Sequence, residues 1–189
     1  MFRKAPLVAA MISSVLLGST AMGFLAQQYA ARQPVIAMSP RDLAERRRAE
    51  SAKAAQVIGV ECEVLEADDG RLEPTLDHRL DMIRRIRRLA PDLILTHRPN
   101  DYHPDHRYTS ILVQDSAYVV TVPLICPDTP RLEANPVIAF LQDDFKKPWP
   151  FTPDVVVDVD TVMDKKWEML HAHTSQFYEW LPYIDGNAR

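Results

Sequence analysis

The chain has 189 residues, 47% apolar and 25% charged, enough for one domain with a sizeable core. A net charge of −4 offers no electrostatic reason to expect nucleic acid as a partner. Cys62 and Cys126 lie far apart and form no C-x-x-C pair, which excludes a cysteine zinc site and a disulfide framework as organising features. Five glycines stand against fifteen prolines, most of them after Pro91, and this forecasts a second half rich in irregular loops, where sites concentrate.

From Ala5 to Ala31 no residue is charged, and Arg3 and Lys4 precede the run. A basic start, the apolar stretch Leu7–Leu17 and the small residues Ser19-Thr20-Ala21 fit a secretory signal. The run also has the ~20 residues needed to span a bilayer once. Its polar interruptions at Ser13, Ser14, Gly18, Ser19, Thr20 and Gly23 equally suit a displaced first helix of an α/β domain. Residues 1–33 are therefore set apart as an apolar N-terminal segment, and residues 34–189 as the main domain. A cytoplasmic location is expected for that domain. Secretion or anchoring, with membrane contact through residues 5–31, follows if the segment is a signal or anchor.

Pro34 to Met38 reads as a short apolar strand. Ser39-Pro40-Arg41-Asp42 then starts a helix: serine as N-cap, proline at the first helical position and an acid three residues after the cap. That helix runs over Arg41–Ile58 and ends at Gly59. Val60–Val64 alternates apolar and acidic residues, as in a half-buried strand, and Asp68-Asp69-Gly70 makes a turn. Thr75 caps a second helix with Leu76, Leu80, Ile83, Ile86 and Leu89 on one face. Its other face carries Arg79, Arg84, Arg85, Arg87 and Arg88, read as solvated surface, with Asp81 and Arg85 at the favourable i,i+4 spacing.

Asp92–Thr96 is a nearly all-apolar run, the pattern of a central parallel strand covered on both faces. A loop and a helix from Asp105 through Tyr118 follow. Val137–Leu141 and Asp154–Val159 read as further strands, and Thr161–Gln176 as a last helix capped by Asp160 or Thr161. The alternation of strands and helices predicts the α/β class, as a three-layer α/β/α Rossmann-like sandwich with a mainly parallel sheet.

In open parallel sheets ligands bind beyond the carboxyl ends of the strands. The loop after Asp92–Thr96 occupies that position and holds His97, Asp101, His103, Asp105 and His106 within ten residues. Imidazole nitrogen and carboxylate oxygen are the ligands zinc accepts, and a catalytic zinc keeps three protein ligands plus a water. Three histidines and two aspartates at one strand end point to a functional site, with a metal as one reading of it.

The run Thr96-His97-Arg98-Pro99-Asn100-Asp101-Tyr102-His103-Pro104-Asp105-His106 resembles the second signature motif of the PIG-L/LmbE-like deacetylases. Three further segments are similar to that family in the same order. They are Arg47-Arg48-Ala49-Glu50 with the helix ending at Ile58-Gly59, the acidic turn Asp68-Asp69-Gly70, and His171-Ala172-His173-Thr174-Ser175-Gln176. The resemblance covers about Arg41 to Tyr183. It implies a hydrolase that removes an N-acetyl group from an N-acetylglucosamine-type sugar conjugate or glycolipid, with Zn2+ as cofactor. It further implies His106 as a zinc ligand, His103 as the group that stabilises the oxyanion and Asp105 as its support. Arg47 falls at a substrate-contacting position, and His173 near the site.

The family's first signature, Ala-His-Pro-Asp-Asp, supplies two zinc ligands and the catalytic base. This sequence has no histidine before His78 and no aspartate before Asp42, so tight zinc binding in the family's manner is expected to fail unless Asp101 or His97 compensates. A catalytically inactive sugar-conjugate binding module, or a truncated product, is the alternative reading. The aromatic stretch Lys147-Pro148-Trp149-Pro150-Phe151, with Phe177, Tyr178 and Trp180, either lines a sugar pocket or packs as a loop cover.

Overall fold

The computed structural model describes residues 35–186, so the apolar segment at residues 1–33 lies outside the described residues. In chain order the elements are α1 (Pro40–Ile58), α2 (Leu76–Leu89), β1 (Leu93–Thr96), α3 (Pro104–Ala117), β2 (Val137–Phe140), α4 (Met163–Ala172) and α5 (Leu181–Ile184). Short 3-10 turns stand at Val35–Ala37, Val119–Thr121 and Asp160–Val162, and Ser175–Trp180 is π-helical. These elements fall into two compact units, one over Leu65–Val156 and one that combines residues 35–64 with residues 157–186.

In the first unit β1 and β2 pair in parallel, Leu93 opposite Val137 through Thr96 opposite Phe140. Among the described residues the sheet has these two strands. The fold is therefore mixed α/β with parallel pairing, and the three-layer arrangement is not represented in it. Thr75 starts α2 by accepting a hydrogen bond from the His78 N–H at 3.3 Å, as its position before the apolar stripe predicts. Ile83 and Ile86 of that stripe form the core with Val120 and Cys126, flanked by Leu80, Met82 and Ile94.

Arg87 departs from the expected solvated basic face, since it is buried at 4% exposure. It stands four residues after Ile83, on the same side of the helix. Its guanidinium donates to the carbonyls of Val119, Val120, Val122, Ile125, Cys126 and Thr129. Four of these carbonyls, those of Val119, Val120, Val122 and Cys126, also accept a backbone N–H, so the one side chain adds a second donor to them and supplies the donor for Ile125 and Thr129. The rest of the arginine face behaves as expected: Arg79 and Arg84 reach Asp115 and Asp128, and Arg85 reaches Asp81 at 2.7 Å.

In the second unit α1 begins on Ser39, whose hydroxyl accepts from the Asp42 N–H, and ends on Gly59 at φ 70°. The predicted strand at Pro34–Met38 is instead the 3-10 turn Val35–Ala37. Val60–Val64 and Asp154–Val159 form no strand either. Both lie where the chain passes from one unit to the other, and Val155 and Val156 are about four-fifths exposed. A β-prone run becomes a strand only against a neighbour that takes its backbone groups. The expected last helix is interrupted at His173: α4 covers Met163–Ala172 without a side-chain cap, and a π-helical turn follows from Ser175. No helix among the described residues is long and apolar enough to cross a membrane.

Candidate active site

β1 ends at Thr96 and delivers His97, Arg98 and the loop to His103 at the carboxyl edge of the parallel pair. His103 is the N-cap of α3, with Pro104 at the first helical position, and its Nδ1 accepts the Asp105 N–H at 3.2 Å. In the neutral ring that contact leaves the proton on Nε2, which becomes an outward donor. Nε2 stands 3.8 Å from the exposed Asp69 carboxylate. The loop is closed on itself: Asp101 Oδ1 accepts from the His103 N–H at 2.9 Å, and Arg107 donates to the carbonyls of Asp101 and Tyr102.

His106, one turn into α3, is buried beside Asp101, whose two carboxylate oxygens both lie 3.1 Å from its Nδ1. In its neutral form the imidazole donates from Nδ1 to that carboxylate and carries its lone pair on Nε2, the tautomer a metal ligand requires. His97 stacks on it, ring centroids 4.2 Å apart and planes within 2°, and His103 lies at 4.7 Å on a tilt of 31°. Burial, reinforced by the neighbouring His106, lowers the His97 pKa from its usual 6.5 and keeps that ring neutral at pH 7. Desolvation, with Asp101 and Asp69 adding to it, raises the Tyr102 phenol.

Asp105 uses its carboxylate elsewhere. Oδ2 accepts the Gly70 N–H at 2.6 Å and Oδ1 the Leu72 N–H at 3.2 Å, which ties the acidic turn to the first turn of α3. Gly70 at φ 77° allows that approach. Asp105 thus contacts His103 through its backbone N–H.

Among the described residues two donor groups have the chemistry of a metal site: His97, Asp101 and His106, all buried, and Asp69, His103 and Asp105. The first set fits zinc in one ligand. A zinc–imidazole bond lies in the ring plane, and the parallel planes of His97 and His106 do not meet at a common ion. Asp101 is engaged in orienting His106. His106 Nε2 is the nitrogen of this set whose lone pair is both oriented and uncommitted, one of the three ligands a catalytic zinc takes.

Arg47 and His173 belong to the second unit. There Arg47 Nη2 donates to the Gln176 side-chain carbonyl at 3.3 Å. His173 is half-buried, and its pKa is lowered by desolvation, with Glu50 opposing. The residue that organises this region is Glu50, which the sequence reading quoted in a motif without a role. It accepts from Thr174 Oγ1 at 2.8 Å, the Ser175 N–H at 3.0 Å and Ser175 Oγ at 2.5 Å. Arg46 joins it, bridging to Glu179. The signal available in the sequence was the pairing of an acidic helix position with a late Thr-Ser; its geometry was not. Asp101 was read as a substitute ligand, and here it orients His106.

The comparisons with known proteins bear on this geometry. A diacetylchitobiose deacetylase of Thermococcus kodakarensis is 28% identical over 160 residues, 78% of this chain and 57% of that protein. A 4-oxalmesaconate hydratase of Pseudomonas putida is 25% identical over 147 residues, 77% and 57% respectively. The chain thus spans a little over half the length of these curated relatives. Among solved structures, the N,N'-diacetylchitobiose deacetylase of Pyrococcus horikoshii aligns with TM-score 0.65 at 24% identity, covering 78% of this chain and 58% of that one. The 4-carboxy-2-hydroxymuconate hydratase of Pseudomonas putida aligns with TM-score 0.64 at 22% identity, covering 89% and 71%. These two likenesses establish the fold alone. The family model PIG-L, GlcNAc-PI de-N-acetylase, matches residues 11–117, more than half of the chain, and the protein belongs to that family.

Proposed function

We propose that this chain is a zinc-dependent de-N-acetylase acting on an N-acetylglucosamine-type sugar conjugate, a small-molecule substrate. The observation that supports it is the His103–His106 pair. In the neutral rings one imidazole is left with Nε2–H as a donor; the other, its ring centroid 4.7 Å away, is left with an Nε2 lone pair as a ligand. Amide hydrolysis needs both functions side by side, a donor for the developing oxyanion and an electrophile beside it.

In this reading His103 donates to the acetyl oxygen as it gains charge, and the Asp105 N–H keeps that ring in the correct tautomer. His106 would hold zinc through Nε2, and Asp101 holds His106. By the family resemblance Arg47 and His173 are assigned to substrate binding, and residues 34–189 to one deacetylase domain. Bound zinc would polarise the acetyl carbonyl and lower the pKa of a water toward ~7. The water oxygen bonds to the acetyl carbon, the C–N bond breaks, and the nitrogen leaves as the protonated amine. His97 and His106 do not converge on one ion and Asp101 is engaged by His106, so zinc affinity should fall below that of a three-ligand site.

The test is acetate release from N,N'-diacetylchitobiose by the full chain with zinc added in excess. Turnover that disappears in both His103→Asn and His106→Ala is the expected result. Hydration of 4-oxalmesaconate without acetate release, or acetate release that survives both substitutions, overturns the proposal. Elemental analysis without added zinc should give well under one zinc per chain. A full equivalent, lost in His106→Ala, would overturn the expected weak binding.

A further inference from the structure

Among the described residues His97 has no hydrogen bond to either ring nitrogen, although the residue is 7% exposed. What its ring offers to the cluster is a face, parallel to His106 within 2° at a centroid distance of 4.2 Å. The chain is anchored on both sides of it. The Thr96 carbonyl, at the end of β1, accepts the Leu141 N–H at 2.9 Å. Arg98, 6% exposed, donates to Asp143 Oδ1 at 2.8 Å, to the Phe145 carbonyl at 3.2 Å and to the Trp149 carbonyl at 2.6 Å. The Asp143 carboxylate is largely buried too, so solvent ions screen this pair little. His97 is thus a planar surface set between two fixed neighbours.

His106 needs such a surface. The torsion about the Cβ–Cγ bond of a histidine has broad wells and does not by itself fix the ring. Asp101 holds the Nδ1 edge, with both oxygens at 3.1 Å, and leaves the ring free to rock about that edge. Tyr102 meets His106 edge-on at 76° and His103 at a tilt of 31°, so neither supplies a parallel face. His97 does, and a ring lying flat against it keeps its Nε2 lone pair in one plane. A metal bound in that plane lies outside the plane of His97, which separates the ring that orients from the ring that binds.

We propose that His97 is a positioning residue, a stacking plate that keeps the His106 imidazole in the one orientation from which Nε2 binds a divalent metal. This rests on the reading of His106 as the zinc ligand. The plate uses an aromatic face and no nitrogen, so phenylalanine should replace it and leucine, apolar but without a planar face, should not.

Zinc titration of the full chain, followed by nitrogen–proton NMR correlation of the histidine rings, tests it with and without metal. Without metal, the His106 Nδ1–H should be sharp in the wild type and in His97→Phe, and lost to exchange with water in His97→Ala. With zinc, affinity at Nε2 should stay within about twofold of the wild type in His97→Phe and fall about tenfold in His97→Ala, the upper end of what an aromatic pair contributes. His97→Leu should show the same loss, and it carries the test if His97→Ala fails to fold by circular dichroism. An affinity lost equally in the Phe and Ala variants makes His97 a ligand and overturns the proposal, as does an affinity unchanged in the folded Ala or Leu variant. In both cases a wild-type Nε2 resonance that moves with zinc leaves the reading of His106 standing. A wild-type resonance that zinc does not move overturns both.

Discussion

In the unit over Leu65–Val156 the imidazoles of the cluster are held by partners two to five residues away: Asp101 for the His103 N–H and the His106 ring, Asp105 for the His103 ring. In the other unit Glu50 is reached from Thr174 and Ser175, and Arg46 from Glu179, across 124 to 133 residues of chain. The difference lies in what each arrangement depends on. A locally closed loop sets its tautomers as soon as a short segment adopts its turn. A cluster closed over more than a hundred residues exists only when the fold does, and its loss is felt as stability before it is felt as chemistry.

The sharpest separation should come from His103→Asn. Asparagine keeps an N-cap acceptor for α3 and removes the outward imidazole donor. Turnover is expected to fall by about 10²–10³-fold, or ~3–4 kcal/mol, with the thermal midpoint nearly unchanged; a large drop in midpoint would erase the distinction between the units. Glu50→Ala should do the reverse. It strips Ser175 and Thr174 of a buried acceptor and costs about 3 kcal/mol in urea unfolding, with Glu50→Gln recovering part. A loss of sugar turnover at wild-type stability would contradict that.

Arg87→Met probes the exception inside the first unit, a buried long-range clamp with carbonyl partners 32 to 42 residues away. The Ile125 and Thr129 carbonyls lose their donor while the other four keep a backbone N–H, and a destabilisation of roughly 2–3 kcal/mol is expected by chemical denaturation. Asp101→Asn retains an acceptor for the His103 N–H but weakens the orientation of His106. Zinc affinity, read by competition with a chromogenic chelator, should drop about 10–100-fold with little change in unfolding.

The smallest effect concerns pH. His173 has a folded pKa below the 6.5 of the unfolded chain because burial penalises its charged form. Its contribution is therefore complete above about pH 6.5 and is lost as pH falls toward the lower folded value, where the unfolded state binds the proton more readily. Urea midpoints at pH 7.5 and 5.5 should show the loss, and His173→Gln should reduce it. Part remains in that variant, since His97 shifts in the same direction.

Legibility followed the same division. The caps at Ser39 and Thr75, the αL stop at Gly59 and a parallel strand at Leu93–Thr96 are as the local pattern predicts, but cover on both faces of that strand is not, since Leu93 is 41% exposed and β2 is its one partner among the described residues. The His-Pro-Asp-His block was legible because Pro104 and the N-cap geometry bring His103, Asp105 and His106 together within one helical turn. Arg87 was misread because a charged residue on an arginine-rich helix is usually solvated; its carbonyl partners come from a loop with no sequence signature. Val155–Val157 has every local property of a strand but no neighbouring strand to pair with. The break at His173 likewise has its cause at Glu50, far back in the chain.

What the sequence determined by itself is the family, the caps of the first two helices and the histidine cluster after β1, because each rests on residue types at short spacing. The tertiary structure decided the rest. It stacks His97 on His106 so that their lone pairs do not converge, turns the Asp105 carboxylate toward the 70–72 turn, and clamps the loop after β2 on Arg98. Those outcomes depend on which lone pair or N–H faces which, and such directions are set when distant segments meet.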